Sequence, residues 1–246
     1  MIGRLLRTVS YLQPSQAIGQ AMARLHRAKP RRVAVPSLRP RSHAWIRAVP
    51  KHARLEGPYT FTSLNTTYDV PGPADWDRPD RLFLWKYNLH YFDYLNSAPN
   101  ATSHAWARAL VARWIAEHRC GLGWEPYPTS LRLCNWIRCH WEAEPLTAEA
   151  IASLACQADV LDRSIEYHIG ANHLFTNGKA LLFAGEFFNG PAANRWRSRG
   201  LGILQAEIPR QFLADGGHYE RSPMYHAILL EDLLDVANLL ASRPTP

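Results

Sequence analysis

The sequence lacks the run of about 18 to 20 apolar residues that a membrane-spanning helix requires. Its first 27 residues also lack the apolar core of a secretory signal peptide, because arginine and glutamine interrupt each apolar stretch. We therefore expect no integral membrane segment and no classical export signal. These absences leave the cellular compartment undecided.

Motifs for metals, cofactors and disulfide frameworks are missing as well. The 4 cysteines form no C-x-x-C pair, the 11 histidines form no H-E-x-x-H motif, and no glycine-rich phosphate loop is present. His218 and Glu220 share a glycine-led turn, but the sequence identifies no further ligands that would complete a metal site with them. We therefore expect no metal and no cofactor, and interpret the cysteines as small buried hydrophobic residues.

Positive charge is concentrated near the N-terminus. Residues 1–54 contain 12 lysines and arginines and no acidic residue, whereas the other 192 residues contain 16 basic and 21 acidic residues. The net charge of +7 is therefore local, which disfavours nucleic-acid binding. We interpret residues 1–54 as a basic N-terminal helix and a proline-rich linker, with a helix lying on a membrane surface as the alternative for residues 1–27. Residues 55–246 are interpreted as the folded domain.

The C-terminal part of the sequence has the apolar spacing of α-helices. From about residue 104, apolar stripes at helical spacing are separated by glycine, proline and capping residues. The pattern predicts six helices, which begin near His104, Thr129, Thr147, His173, Trp196 and Ser222. Short loops require successive helices to pair antiparallel. We therefore predict an all-α fold of helical hairpins over residues 75–242, with inner helices around an open cleft.

Polar residues of chemical interest are concentrated at the junctions between loops and helices. Three segments, residues 124–136, 168–180 and 214–226, combine a turn with Asn, His, Tyr or Arg where a helix begins. The first turn of a helix presents free N–H groups and a partial positive charge, which favour a bound anion such as a carboxylate. The junctions are therefore the candidate binding region.

Two of these segments carry a family resemblance. They contain the motifs N-H-x-x-x-N-x-K-A-L-x-x-A-G from Asn172 and D-G-x-H-x-E-x-S-P-x-Y-H from Asp215. Together with residues 85–95, they resemble the N-terminal domain of the heparinase II/III-like polysaccharide lyases, a group similar also to certain alginate lyases. Ala171 departs from the pattern, because relatives often have a polar residue there.

The resemblance spans residues 75–240 and has implications for the whole protein. It implies an incomplete (α/α) toroid, which in this family is followed in the same chain by a C-terminal β-sandwich domain. Because the sequence ends at Pro246, directly after the sixth predicted helix, we expect a truncated or partial form of such a lyase. Members of the family commonly work in the periplasm or cell envelope, whereas the missing export signal leaves the cytoplasm open.

The junction residues suit β-elimination on a uronate polysaccharide. In this reaction a base removes the C5 proton beside the carboxylate, and an acid protonates the departing O4. Donors must neutralise the carboxylate, which Asn172 and His173 can supply, and Tyr225 is the best acid/base candidate. Each of the three also has an ordinary structural reading: Asn172 as a helix N-cap, His173 as a satisfied first-turn histidine, and Tyr225 as a half-buried core residue.

Further residues are expected to bind the acidic oligosaccharide. The expected substrate-binding residues are Tyr127, Arg132, His218, Glu220 and His226. The aromatic side chains of Tyr127, Trp136, Trp85 and Tyr91 either stack on sugar rings or pack in the core, and the core reading is favoured. Asn177 is interpreted as a residue that fixes the hairpin through hydrogen bonds.

Three functions stay open on the sequence alone. The first is a polysaccharide lyase or its catalytic-side fragment. The second is a glycoside hydrolase on a helical toroid, which needs two carboxylates across the sugar, drawn from Glu125, Asp215 and Glu220. The third is a non-catalytic domain that binds or supports acidic polysaccharide. The lyase is favoured because the hydrolase reading leaves the Asn-His and Tyr residues unexplained.

Overall fold

The structure, a computed structural model, describes residues 28–40, 45–46, 50–51, 53–97, 101–143 and 145–242. In this part of the chain there are seven α-helices: α1 (Phe83–Tyr91), α2 (Ala101–Glu117), α3 (Pro126–Glu142), α4 (Ala148–Asp162), α5 (Ala171–Phe187), α6 (Pro191–Gln211) and α7 (Pro223–Ala241). The predicted all-α fold is therefore confirmed. The predicted basic helix near the N-terminus lies outside the described residues. Among the helices that are described, none combines the length and apolarity needed to cross a membrane.

A small antiparallel sheet precedes the helices and was not predicted. Its strands are β1 (Arg54–Leu55), β2 (Thr60–Ser63) and β3 (Thr66–Asp69), in that order. Leu64 and Asn65 join β2 to β3 with φ of 51° and 56°, the backbone of a type I′ hairpin turn. Strands of two to four residues are too short to show an alternating pattern, so the hydropathy pattern contains no signal for them.

The later helices pair antiparallel, as expected for hairpins. The closest pair is α5 with α6, where Gly178 and Gly200 allow the two backbones to approach. At one end of this pair Phe188 packs against Trp196, and at the other the Gln211 side chain donates to the carbonyl of Ala171 at 2.9 Å. The end of α5 thus lies beside the start of α6, and the start of α5 lies beside the end of α6. This antiparallel arrangement confirms the hairpin prediction.

Helices α3, α5 and α7 run parallel to one another and form the inner layer. Asn177 near the start of α5 donates to Ser130 near the start of α3, and Trp141 packs on Phe187 near their ends. Side chains of α5 meet those of α7 in the same order along both helices, in the pairs Thr176–Asp232 and Lys179–Asp235. The N-terminal ends of all three helices therefore lie on one side of the molecule, which we call the site end.

Side-chain caps explain the starts of two described helices, α4 and α7. Thr147 accepts a hydrogen bond from the Ala150 N–H at 3.3 Å, and Ser222 accepts one from the Tyr225 N–H at 3.4 Å, so both predicted caps are confirmed. The predicted cap at Thr129 is wrong, because α3 already begins at Pro126. Proline suits the first helical turn, where an N–H has no intrahelical partner.

Tryptophan dominates the core. Five indoles are almost completely buried, those of Trp76, Trp85, Trp114, Trp136 and Trp196. The reading of Trp85 and Trp136 as core residues is therefore confirmed. Of the cysteines, Cys134 and Cys139 are buried as expected, Cys156 is half-buried, and Cys120 is exposed, so the prediction is wrong for Cys120.

The described residues before the sheet contact the helices. Leu38 forms a β-bridge with Phe188, and Arg31 forms a bidentate ion pair with Asp159 of α4. Trp45 is 8% exposed, so it packs more tightly than we expected for a residue in a proline-rich linker. The division of the chain at residue 54 into linker and domain stays a prediction.

Candidate functional site

The first turn of α5 places Asn172 and His173 at the site end. Gly170, with φ of 70°, is the N-cap, and Ala171 follows in a left-handed conformation with φ of 48°. Asn172 is therefore the second helical residue, and the N-cap reading of its side chain is wrong. A left-handed alanine costs roughly 1 to 2 kcal/mol. Backbone strain of this kind concentrates at functional sites, and here it immediately precedes the Asn-His pair.

Tyr127 of α3 contacts both residues of that pair. Its ring stacks on the imidazole of His173, with centroids 4.3 Å apart and an interplanar angle of 27°. Its hydroxyl interacts with the side chain of Asn172, although burial outweighs this contact and raises the pKa of Tyr127. Tyr127 is therefore a neutral phenol at ordinary pH. Tyr91 packs edge-on against it and is itself largely buried.

Glu166, in the loop before α5, binds the imidazole of His173 at its Nδ1 edge. Its Oε1 lies 3.1 Å from His173 Nδ1. Asn177 clasps the same residue, because its Oδ1 accepts from the Glu166 N–H at 2.9 Å and its Nδ2 donates to Glu166 Oε2 at 3.1 Å. The prediction that Asn177 fixes the hairpin through hydrogen bonds is confirmed.

Tyr225 lies in the first turn of α7, at the same end of the inner layer. It is half-buried, and its ring centroid lies 6.4 Å from that of His218. His218 Nε2 lies 3.4 Å from Gln211 Oε1, and the amide of Gln211 in turn donates to the Ala171 carbonyl. Two side chains thus connect Tyr225 with the residue that precedes Asn172.

The histidines around Tyr225 differ in burial. His218 is 2% exposed, and burial lowers its pKa, which favours the neutral form. This disfavours its expected use as a cation beside Tyr225. Within the described structure, His218 Nδ1 is a buried nitrogen that has no hydrogen-bond partner. His226 is half-buried in the first turn of α7, and Glu220 is exposed in the preceding loop.

Arg132 lies in the core rather than at the cleft surface. Its side chain has no exposed area, its Nε donates to Gln157 at 3.0 Å, and its guanidinium lies 3.9 Å from the ring centroid of Trp114. Burial lowers the pKa of Arg132 to about 9. A guanidinium enclosed in this way has no surface to offer a substrate, so we leave Arg132 out of the proposed site.

The three carboxylates that the hydrolase reading requires do not form a shared group, because each has a different local environment. Glu125 is the N-cap residue of α3 and accepts a hydrogen bond from the Tyr87 hydroxyl. Asp215 is exposed and accepts from the N–H of Gly217, two residues later in its own turn. Together with the exposed Glu220, these residues have local structural roles or lie in solvent.

Asp77, His90 and His118 form a second cluster with ligand-type side chains, next to the loop that precedes α3. Trp114 donates to His90 Nδ1 at 3.2 Å, so the proton of a neutral His90 resides on Nε2 and is donated to Asp77 at 3.2 Å. The Leu122 N–H also donates to Asp77. These hydrogen bonds connect Asp77 and His90 to the loop before α3, whereas Nε2 of the buried His118 has no hydrogen-bond partner among the described residues.

Sequence reasoning did not identify Glu166 as a site residue. It lies seven residues before His173 across a loop, and no regular helix or strand spacing connects the two. Its identification depends on the loop conformation, which brings its carboxylate back onto the first turn of α5.

Comparisons with known proteins identify the family of the helical region. Residues 83–243 match the family described as Heparinase II/III N-terminus. The heparin-sulfate lyase of Pedobacter heparinus is 38% identical over 90 residues, which cover 35% of this chain and 13% of the relative. The heparin-sulfate lyase of Bacteroides thetaiotaomicron is 34% identical over 93 residues, covering 36% of this chain and 13% of the relative.

A solved structure described as heparinase III is also similar. The likeness covers 74% of this chain and 30% of that chain, with 19% sequence identity and a TM-score of 0.49. The matched part thus spans about an eighth of the curated relatives and less than a third of the solved one. Because the family match extends from α1 to the end of α7, the chain belongs to the heparinase II/III family, of which it contains the N-terminal helical domain.

Proposed function

We propose that this chain provides the helical side of a lyase site that cleaves uronate-containing polysaccharide by β-elimination. One observation carries the proposal: Asn172, His173 and Tyr225 all lie in the first turns of parallel inner helices, at one end of the molecule. The reaction needs charge neutralisation and proton transfer at neighbouring atoms, so residues with these capacities must be close together. The relatives named as heparin-sulfate lyases support the same reaction class.

Asn172 is proposed to neutralise the uronate carboxylate. Its amide is not used as a helix cap and is half-buried beside Tyr127. The C5 proton is weakly acidic while the adjacent carboxylate keeps its charge, so an N–H donor that stabilises the developing enolate lowers the barrier. The free N–H groups and partial positive charge at the start of α5 act in the same direction.

Tyr225 is proposed to move the proton. A phenol can accept the C5 proton as phenolate and return it to the departing O4. Tyr225 follows Ser222 and Pro223, and the Ser222 hydroxyl fixes its backbone by accepting a hydrogen bond from the Tyr225 N–H. Tyr127, Glu220 and His226 are proposed to contact neighbouring sugars, whereas His218 is left out because it is only 2% exposed. A C-terminal β-sandwich domain is proposed to close the cleft in a longer chain.

The test measures binding by the 246-residue chain and cleavage by a form in which a β-sandwich domain is restored. We expect the isolated helical domain to bind weakly and to cleave slowly or not at all, because a site open to water loses part of its electrostatic advantage. Heparan sulfate and alginate oligosaccharides serve as probes, with affinity measured by titration calorimetry and cleavage by the ultraviolet absorbance of the new C4=C5 bond. Asn172→Ala should weaken binding by about 10- to 100-fold, since a hydrogen bond to a charged group contributes about 1.5 to 3 kcal/mol. Tyr225→Phe should leave affinity within about twofold and abolish the absorbance, because it removes only the proton carrier.

The exposed Tyr59, which lies in the sheet region, provides the matched control. Tyr59→Phe should change neither readout. Binding that is insensitive to Asn172, together with no unsaturated product after prolonged incubation, would favour the scaffold alternative. New reducing ends without the ultraviolet signal, lost in Glu125→Gln or Glu220→Gln, would favour the hydrolase.

A further inference from the structure

The imidazole of His173 is held on one edge and on one face. Glu166 Oε1 meets its Nδ1 edge at 3.1 Å, and the ring of Tyr127 covers one face at 4.3 Å between centroids. The side chain of His173 is nevertheless 28% exposed, so the ring is not enclosed. The edge that carries Nε2, opposite Nδ1, is therefore the part of the imidazole that remains for a ligand.

The carboxylate of Glu166 is itself fixed. Its side chain is 7% exposed, and Asn177, with no exposed area, donates to Oε2 and accepts from the backbone N–H. The same Asn177 amide donates to Ser130 Oγ at 3.1 Å, which ties the unit to α3. Oε2 is thus occupied by Asn177, and Oε1 is directed at His173.

An ionised carboxylate only accepts hydrogen bonds, so Nδ1 of His173 must carry a proton. In the neutral imidazole this leaves Nε2 unprotonated, whereas in the imidazolium Nε2–H becomes a donor whose positive charge Glu166 offsets. The hydrogen bond made by one ring nitrogen decides the state of the other.

We propose that Glu166 is a positioning residue that holds neutral His173 in the Nδ1–H tautomer and turns its Nε2 edge toward the substrate, so that Nε2–H donates to the uronate carboxylate when the imidazole is protonated. The role of Nε2 toward the substrate rests on the proposed function, but the tautomer itself is a property of the ligand-free chain. A purely structural glutamate would support the loop without dictating the protonation of the ring.

The substitution Glu166→Gln tests this sharply. Asn177 Nδ2 donates toward the position of Oε2, so the carbonyl oxygen of the introduced amide must face Asn177 and its NH₂ must face His173 Nδ1. An NH₂ group only donates, so Nδ1 must become the acceptor. Glu166→Gln should therefore switch neutral His173 to the Nε2–H tautomer, although the change in volume is negligible.

The measurement is a long-range ¹H–¹⁵N correlation spectrum of the full chain labelled at histidine, above the pH at which its imidazoles are charged. The His173 signals are identified by their loss in His173→Gln. We expect an unprotonated Nε2 in the native chain, a protonated Nε2 in Glu166→Gln, and the native pattern in Glu56→Gln, a control at an exposed glutamate in the sheet region.

Retention of the native melting temperature within a few degrees establishes that Glu166→Gln is folded. If that variant does not fold, the tautomer of His173 in the native chain still decides the question. Glu166→Asp then serves as the second variant, because it keeps the carboxylate and should leave Nε2 unprotonated. An Nε2–H tautomer in the native chain, or no switch in a folded Glu166→Gln, would overturn the positioning role. Neither result depends on cleavage, so the lyase proposal stands or fails separately on the product and binding assays.

Discussion

Gly178 of α5 and Gly200 of α6 face each other where the two helices cross. A Cβ atom on Gly200 would lie 2.6 Å from the Gly178 carbonyl oxygen and 2.6 Å from the backbone nitrogen of Leu182. These are backbone atoms, so they cannot move aside as the end of a flexible side chain would. The close approach of the hairpin that carries Asn172 therefore depends on these glycines.

Gly200→Ala should destabilise the chain by about 1 to 3 kcal/mol or more, because the methyl group forces α6 away from α5. Gly202 is the matched control, since it is exposed in the same helix and a Cβ there meets no atom within 4 Å. Gly202→Ala should stabilise the chain by about 0.5 to 1 kcal/mol through helix propensity. Urea unfolding of both variants measures the two effects, and equal signs would contradict the prediction.

Lys179→Met should cost about 3 to 5 kcal/mol of unfolding free energy, because it removes one of the two cations, Lys179 and Arg138, that balance the buried carboxylates of Asp232 and Asp235. The Lys179 ammonium lies 2.7 Å from Asp232 and 2.5 Å from Asp235, and all three side chains are buried. Adding Asp232→Asn to Lys179→Met should recover part of the loss, since it removes one of the stranded carboxylates. Thermal unfolding provides the measurement, and a double variant less stable than the single would refute the explanation.

His118 should make the chain less stable in mild acid. Burial, followed by the neighbouring His90, lowers its pKa to about 3, although Asp77 acts in the opposite direction and Arg132 adds to the lowering. The unfolded chain therefore binds a proton on His118 near the ordinary value of 6.5, and the folded chain does so only near 3. Stability associated with His118 is complete above pH 6.5 and decreases as the pH falls from there toward 3.

His118→Asn tests this dependence because asparagine is polar and does not titrate. Between pH 6 and 4, the slope of unfolding free energy against pH should decrease by about 1.4 kcal/mol per pH unit, the value for one proton. Urea unfolding at several pH values gives the slope. Parallel curves for the native chain and the variant would show that His118 does not titrate as described.

Substitutions at Tyr127 distinguish the contribution of its ring from that of its hydroxyl. Tyr127→Phe keeps the stacking on His173 but loses the contact with Asn172, so we expect heparan sulfate oligosaccharide affinity to fall by about 3- to 10-fold, equivalent to one neutral hydrogen bond. Tyr127→Leu loses both contacts and should weaken binding further. Calorimetric titration distinguishes the two variants, and equal affinities would remove the ring from the proposed site.

Features governed by local chemistry were predictable from the sequence. Thr147 and Ser222 cap their helices through their own hydroxyls, and the antiparallel pairing follows from short loops. The start of α3 was missed because Pro126 already suits a first turn, so Thr129 had no cap to form. A capping pattern alone does not show which of two competing starts is used.

Features governed by tertiary contacts were not predictable. Arg132 has the residue type of a ligand contact, yet Gln157 and Trp114 enclose it, and nothing in the local sequence indicates that depth. Glu166 reaches His173 only through the path of a loop. Sequence motifs indicated the residues of the proposed site, whereas the side chains that orient them could be identified only from the fold.

The parallel inner helices also divide the loops of the chain into two groups. Loops that enter α3, α5 and α7 have eight, eight and eleven residues, whereas those that leave α3 and α5 have five and three. The longer connections surround the polar side chains, and the shorter ones close the hairpins at the far end. Evolution can therefore vary specificity by altering one rim of the molecule, while the opposite rim is left to preserve the alignment of the helices.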